Sequence, residues 1–304
     1  MLSIRRILFP TDFSEGAARA FPQAVALADW HAAELHLVNV TTGDGPSEES
    51  LPRAPSDLAR WLGPTQSEAL RGSLSLVQKQ VPSRDPAGRL LAYVEDQDID
   101  LVVMGTHGRR GVRRMILGSV TEEVVRKAHC PVLTIRTEAE GPPRQAVRRI
   151  LVPVDFSEAA ERAVEHAIEI AQTYGAEIHL LHVVEQVVYP SVYGYEASYF
   201  PTEEVVGAVE DRLADIARDE IGYEHVQIAA TVGDAPLTIL DYMNTNGVDL
   251  LVIATHGRSG LDWILLGSVT ERVLRQSPVP VFVVKPSGKS LVPSARTRAT
   301  TVAE

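Results

Sequence analysis

Short apolar, β-rich runs alternate with amphipathic stretches of helical period along this chain, and the alternation is written twice. In the first half "RILFP" predicts a strand, followed by a helix from Ser14 to about His31 that Pro22 should kink. "ELHLVNV" predicts the next strand. "LSLVQKQV" fits helix or strand by itself, but its counterpart in the second half, "HVQIAATV", reads as a strand and tips the first toward strand as well. "AGRLLAYVEDQ" then predicts a helix, "DLVVMG" a buried strand, "SVTEEVVRKAH" a helix and "PVLTIR" a final strand. Strands that alternate with helices call for βαβ crossovers and a parallel sheet covered on both faces. The pattern predicts an α/β fold, doubly wound, present twice.

The duplication is explicit in the letters. "RRILFPTDFSE" begins at Arg5 and "RRILVPVDFSE" at Arg148, a displacement of 143. Between Thr106 and Thr255 the displacement is 149, so the second copy holds six extra residues, placed best in the Tyr-rich stretch 187–201. That stretch reads as a loop packing its own aromatics or as a lid over a site. Copies of this length are whole domains rather than solenoid units. The predicted domains are 1–140 and 146–286, joined through "EAEGPPRQA", with a small, polar and disordered tail over 287–304.

Composition narrows the function classes. A formal net charge of −11 argues against nucleic acid or an anionic membrane as the main partner. Cys130 is the only cysteine, which excludes an internal disulfide and fits a reducing cytoplasm. The first residues lack the apolar run of a signal peptide, and no stretch reaches the roughly 18 apolar residues of a membrane helix. Asn39-Val40-Thr41 spells a glycosylation acceptor, a chance match in a chain expected to stay inside the cell.

In a doubly wound sheet a ligand sits outside the carboxyl ends of the strands, where strand order reverses. Asp12 and Asp155 follow the first strands, and Val40 and Val183 end the second. After the fourth strand comes Gly105-Thr106-His107-Gly108, nine residues, then Gly118-Ser119-Val120 at the start of a helix. Unpaired N–H groups and the positive dipole end make such a start a phosphate site, with Arg109, Arg110, Arg113 and Arg114 in the connecting loop. Ser119-x-x-Glu122 and Ser268-x-x-Glu271 equally spell capping boxes, and both readings stand. No Walker loop is present, since Gly288-Lys289-Ser290 has Val283 where the first glycine belongs. His179 and His182 fall on opposite strand faces and cannot share a metal, and no serine or cysteine nucleophile pairs with a base.

Taken together, "ILFPTDFSE", "LVVMGTHGRRG" and "ILGSVTEEVVRKAHCPVLTIR", each with its second copy, resemble the universal stress protein family over about residues 4–137 and 146–286. The resemblance implies two five-stranded parallel sheets of order 3-2-1-4-5, of the adenine-nucleotide α-hydrolase-like kind. It implies ATP, or ADP or AMP, with Mg²⁺ as a possible companion. Asp12 would lie by ribose or adenine, and the Val40 backbone would hold adenine. Gly105, Gly108, Arg109, Gly118, Ser119 and Val120 would face phosphates or ribose. The matching second-copy positions are Asp155, Val183, Ala254, Gly257, Arg258, Gly267, Ser268 and Val269. Ala254 replaces a glycine and is expected to put a methyl near the ligand, and Asp262 and Trp263 replace Arg113 and Arg114. Final strands pair between domains in the family, so the two halves are expected to pair internally, with a homodimer as a further option. The implied role is a nucleotide-binding sensor or regulator, against a slow Mg²⁺-dependent ATPase using Asp12 or Asp155 and a non-binding dimerisation scaffold.

Overall fold

Ser14 ends the first turn of chain by accepting a hydrogen bond from the Ala17 N–H, and helix α1 (Glu15–Trp30) runs unbroken through Pro22 to a cap at His31. A computed structural model describes residues 2–41, 74–106, 117–136, 147–185, 187–189, 197–199, 201–221, 223–255 and 266–292. Around α1 the first copy supplies β1 (Arg6–Pro10), β2 (Glu34–Thr41), β3 (Leu76–Pro82), α2 (Pro86–Asp96), β4 (Leu101–Gly105), α3 (Ser119–Lys127) and β5 (Val132–Ile135). The second supplies β6 (Arg149–Pro153), α4 (Glu158–Tyr174), β7 (Glu177–Glu185), a hairpin of β8 (Val187–Tyr189) and β9 (Ala197–Tyr199), and α5 (Glu203–Asp215), which continues as a π-helical stretch, Ile216–Ile221. It closes with β10 (Val226–Gly233), α6 (Ala235–Asn246), β11 (Leu250–Ala254), α7 (Ser268–Gln276) and β12 (Val281–Val284).

Ten strands make one sheet in the order β10-β7-β6-β11-β12-β5-β4-β1-β2-β3. Each half therefore has its own strands in the order 3-2-1-4-5, all parallel. The ambiguous "LSLVQKQV" is an edge strand, paired from Leu35↔Leu76 onward. Side chains alternate between two apolar layers, as strands buried on both faces require. Ile7, Phe9 and Val103 pack with α1, α4 and α5, whereas Leu8, Val102 and Met104 pack with α2, α3, α6 and α7. Both layers run through both halves.

The seam between halves is antiparallel: Val283 lies opposite Val132 and Phe282 opposite Leu133. The residue after each final strand crosses this seam and caps a helix of the other half. Arg136 Nη1 donates to the carbonyls of Gln276, at 3.1 Å, and Ser277, at 3.4 Å, at the end of α7. Its repeat equivalent, Lys285, donates from Nζ to the Val125 carbonyl in the last turn of α3. Side-chain donors at helix C-termini satisfy exposed carbonyls, and a charged one such as Arg136 also complements the negative dipole end.

Lys285 is buried, and burial pushes its amine down to about 7, while burial pushes the Cys130 thiol up to about 12. The unfolded chain keeps the lysine proton up to its ordinary 10.5, so it binds more protons than the folded chain above pH 7 and stability rises with pH there. Cys130 opposes this only above its ordinary 9.0, where the unfolded chain releases a proton that the folded chain retains. The midpoint of urea unfolding is expected to climb from about pH 7 to 9 in the native chain and to lose that climb in Lys285→Met. Equal slopes in both proteins would remove Lys285 as the cause.

Residues 287–292, expected as the start of a disordered tail, are instead docked. Arg162 Nη1 donates to the Pro286 carbonyl at 2.6 Å, and the Lys289 N–H donates to the His129 carbonyl at 2.6 Å. Lys289 Nζ lies 2.8 Å from Asp98 Oδ1 and 2.5 Å from Asp100 Oδ1. Leu291 is fully buried in the layer that holds Leu2 and Ile4, its N–H donating to His166 Nε2 at 3.2 Å and its carbonyl accepting from the Ser3 N–H at 2.9 Å. Gly288 has φ +111, and a Cβ there would fall 2.4 Å from the His129 carbonyl oxygen, so the close approach needs glycine. Low local hydrophobicity concealed one leucine and one lysine whose partners lie far away in sequence. Residues 293–304 lie outside the described residues.

Candidate functional site

Each half gathers its repeated residues at the carboxyl end of its strands. β1 ends at Pro10, and Thr11-Asp12-Phe13-Ser14 turns the chain into α1. Phe13 has φ 60 and its counterpart Phe156 has φ 62, left-handed backbone that a phenylalanine adopts only under constraint. Local hydrogen bonds supply part of that constraint. Asp12 Oδ1 accepts from the Ser14 N–H at 3.0 Å, and the Phe13 N–H donates to Thr11 Oγ1 at 3.0 Å. Asp155 Oδ1 accepts from both the N–H, at 3.1 Å, and the hydroxyl, at 2.6 Å, of Ser157. The two carboxylates are thereby held at the start of α1 and α4 rather than left to rotate.

The two ends of the glycine phrase are stitched together. The Gly118 N–H donates to the Thr106 carbonyl at 2.9 Å, and Thr121 Oγ1 donates to the Gly105 carbonyl at 3.0 Å. In the second half the Gly267 N–H donates to the Thr255 carbonyl at 2.8 Å, and Thr270 Oγ1 to the Ala254 carbonyl at 2.8 Å. These bonds set the N-termini of α3 and α7 against the ends of β4 and β11. The caps are Gly118 and Gly267, neither with a side-chain cap, so Ser119 and Ser268 are the first helical residues. The capping-box reading is therefore wrong at both sites. Glu122 Oε2 lies 3.7 Å from Arg275 across the seam, and Glu271 pairs with the same arginine. Glu122 and Glu271, although in the first turns, are thus drawn to Arg275, and each helix start keeps the positive end of its dipole and first-turn N–H groups that its glycine cap leaves without a side-chain acceptor.

Val40, one residue before the end of β2, and Val183, two before the end of β7, join Val120 and Val269 in the layer under α3 and α7. Ala254 does not project toward a ligand as expected. It is buried with α4 in the opposite layer, so its methyl joins the core. Arg84 is exposed after β3, where the second half has Gly233 followed by Asp234, which lies 3.4 Å from Arg272. Gly108, Arg109, Gly257 and Arg258, with Arg110, Arg113, Arg114, Asp262 and Trp263, lie outside the described residues. Among the described residues no group of three His, Cys, Asp or Glu could hold a metal ion.

Two buried chains of polar groups went unread in the sequence. His36 Nδ1 meets the Tyr93 hydroxyl at 2.9 Å and Nε2 meets Glu34 at 3.3 Å; His179 meets Tyr242 at 2.9 Å and Glu177 at 3.1 Å. Burial lowers the His36 pKa, so the ring stays neutral between the tyrosine and the carboxylate. These chains tie β2 to α2 and β7 to α6, on the half of each strand away from Asp12 and Asp155. Their repetition was the signal available: Glu34 and His36 recur at the displacement of the first-strand phrase, 143, and Tyr93 at that of the glycine phrase, 149.

The sequence profile of the Universal stress protein family matches residues 3–136 and 146–285. The universal stress protein Rv2623 of Mycobacterium tuberculosis is 28% identical over 298 residues, 92% of this chain and 96% of its own. Rv2005c of the same organism is 32% identical over 191 residues, and this chain spans 63% of the length of that relative. A solved universal stress protein of Archaeoglobus fulgidus superposes with a TM-score of 0.62 at 22% identity, covering 93% of this chain and 97% of its own. Among the described residues no helix is long and apolar enough to cross a membrane.

Proposed function

Because the chain belongs to the universal stress protein family, we propose that it binds an adenine nucleotide, ATP or its ADP and AMP relatives, at two duplicated pockets and acts as a cytoplasmic sensor or regulator. The observation that carries this reading is the pair of helix N-termini, α3 and α7, each capped by a glycine that brings no side chain to its first-turn N–H groups. Such a terminus accepts phosphate through backbone donors and the helix dipole. Asp12 and Asp155 would then face ribose or adenine, and the Val40 and Val183 backbones adenine. Gly105, Gly118, Ser119 and Val120, with the backbone of Ala254 and with Gly267, Ser268 and Val269, would face phosphates or ribose. Gly108, Arg109, Gly257 and Arg258 join them by family resemblance alone. Mg²⁺ enters as the counter-ion of the nucleotide.

Binding without turnover fits the groups present. A hydrolase needs a residue to orient water and cations on the transferring phosphoryl group. The described pocket residues offer one carboxylate per half, already accepting a hydrogen bond from its own turn. We read residues 1–140 and 146–286 as the two nucleotide domains, with the β5–β12 seam serving as their intramolecular pairing; a homodimer of the whole chain would build on that unit. Calorimetric titration of nucleotide-stripped protein with ATP and Mg²⁺ tests the reading. Saturable binding of one or two equivalents is expected. Absence of heat together with an unmoved Tm would refute it and favour the scaffold alternative, and steady Mg²⁺-dependent phosphate release would refute the non-enzymatic part.

A further inference from the structure

The two halves hold one carbonyl in the same way with different side chains. Asn39 Nδ2 donates to the Thr11 carbonyl at 2.7 Å. The repeat equivalent of Asn39 is His182, and its Nδ1 donates to the Val154 carbonyl at 2.6 Å. A carbonyl accepts only, so the His182 proton sits on Nδ1. Each holder is braced in its own fashion. Asn39 is buried and its Oδ1 accepts from Gln80 Nε2 at 3.4 Å. The His182 ring stacks on Phe156, with centroids 4.7 Å apart. An amide and an imidazole share little except an N–H at that distance from Cα, and that N–H is what both copies retain.

The carbonyl they hold belongs to the residue just after the first strand, Thr11 after β1 and Val154 after β6, where the ladder would otherwise go on. The Thr11 N–H donates to the Val38 carbonyl at 2.9 Å, and the Val154 N–H to the Leu181 carbonyl at 2.8 Å. In a regular parallel ladder the next rung would run from the Val40 N–H to the Thr11 carbonyl, and from Val183 to Val154. Alternation along the strands agrees. Leu35 and Ile178 donate outward, to Ser75 and His225. Val40 and Val183, an odd number of residues later, therefore turn their N–H groups toward β1 and β6. The side-chain holder replaces that rung. It engages the carbonyl that the rung would use, and it fixes that carbonyl directly ahead of Asp12 and of the left-handed Phe13, or of Asp155 and Phe156.

We infer that Asn39 and His182 are positioning residues of the two pockets, each keeping a Val40 or Val183 peptide open to an adenine edge and setting the adjacent aspartate turn. The inference rests on the nucleotide reading above. Asn39→Leu keeps approximate shape and removes the donor, so the Thr11 carbonyl falls back on the Val40 N–H and completes the ladder.

Calorimetric titration with ATP and Mg²⁺ compares the native chain with Asn39→Leu, His182→Leu and the exchanges Asn39→His and His182→Asn. Each leucine variant is expected to weaken one site by about tenfold or more and leave the other unchanged, whereas each exchange retains binding within about threefold. Hydrogen exchange at the Val40 amide, read without nucleotide, is expected to slow by about tenfold in Asn39→Leu, as a new rung forms. If the native chain binds ATP and the leucine variants bind it equally well, the positioning role falls and the nucleotide reading stands. Loss of binding in the exchanges as in the leucine variants also overturns it, because the shared N–H would not suffice. A native chain that takes no ATP removes both.

Discussion

Val283→Asp is expected to lower stability by about 3–5 kcal/mol and to split one unfolding transition into two, because it puts an uncompensated charge in the seam. Val283 and its partner Val132 are both fully buried, and Phe282 and Leu133 occupy the opposite layer at the next register position. Both apolar layers cross the seam, so the halves unfold as one body only while it is dry. Arg136 and Lys285 flank it as reciprocal helix caps. Calorimetry and near-ultraviolet circular dichroism on the full chain would check this. A single transition at the native Tm would mean that the seam contributes little to coupling the halves.

Gly118→Val is expected to remove one nucleotide equivalent and to leave the second. A Cβ at Gly118 would lie 3.2 Å from the Thr106 carbonyl and 3.6 Å from Thr121 Oγ1, the two groups that stitch α3 to β4. Valine adds two methyls to that contact, and its branched side chain resists the adjustment an alanine could make. The helix start must shift, and a displacement on the order of an ångström costs phosphate donors their geometry. A loss of about 2 kcal/mol or more in affinity at that pocket follows, roughly thirtyfold. Gly267→Val should do the same to the other pocket. Undiminished stoichiometry in Gly118→Val would show that phosphate does not sit on α3.

The fold was legible because strand and helix periods leave different marks and this chain prints each twice. β3 shows the value of the repeat: Gln78, Lys79 and Gln80 blur its pattern, as suits an edge strand, while the counterpart "HVQIAATV" stays clear. The candidate site was legible in part. Asp12, Gly118 and their copies end where strand ends meet helix starts. Ser119 misled because Ser-x-x-Glu is also compatible with a serine one position inside the helix, and only backbone geometry distinguishes Gly118 as the cap. Ala254 misled because a sequence does not say which face of a strand end a methyl joins. The docked segment at Leu291 and the holders Asn39 and His182 depend on contacts between distant residues, to which local periodicity is blind.

Amide chemical-shift mapping of the full chain titrated with ATP and Mg²⁺ locates the nucleotide without altering a residue. Saturable shifts are expected at Gly118, Ser119 and Val120, at Gly267, Ser268 and Val269, and at Val40 and Val183, with Leu291 and the β5–β12 seam unmoved. Shifts that gather elsewhere, on the β8–β9 hairpin for example, or no shifts at saturating nucleotide, would contradict nucleotide binding at the two pockets.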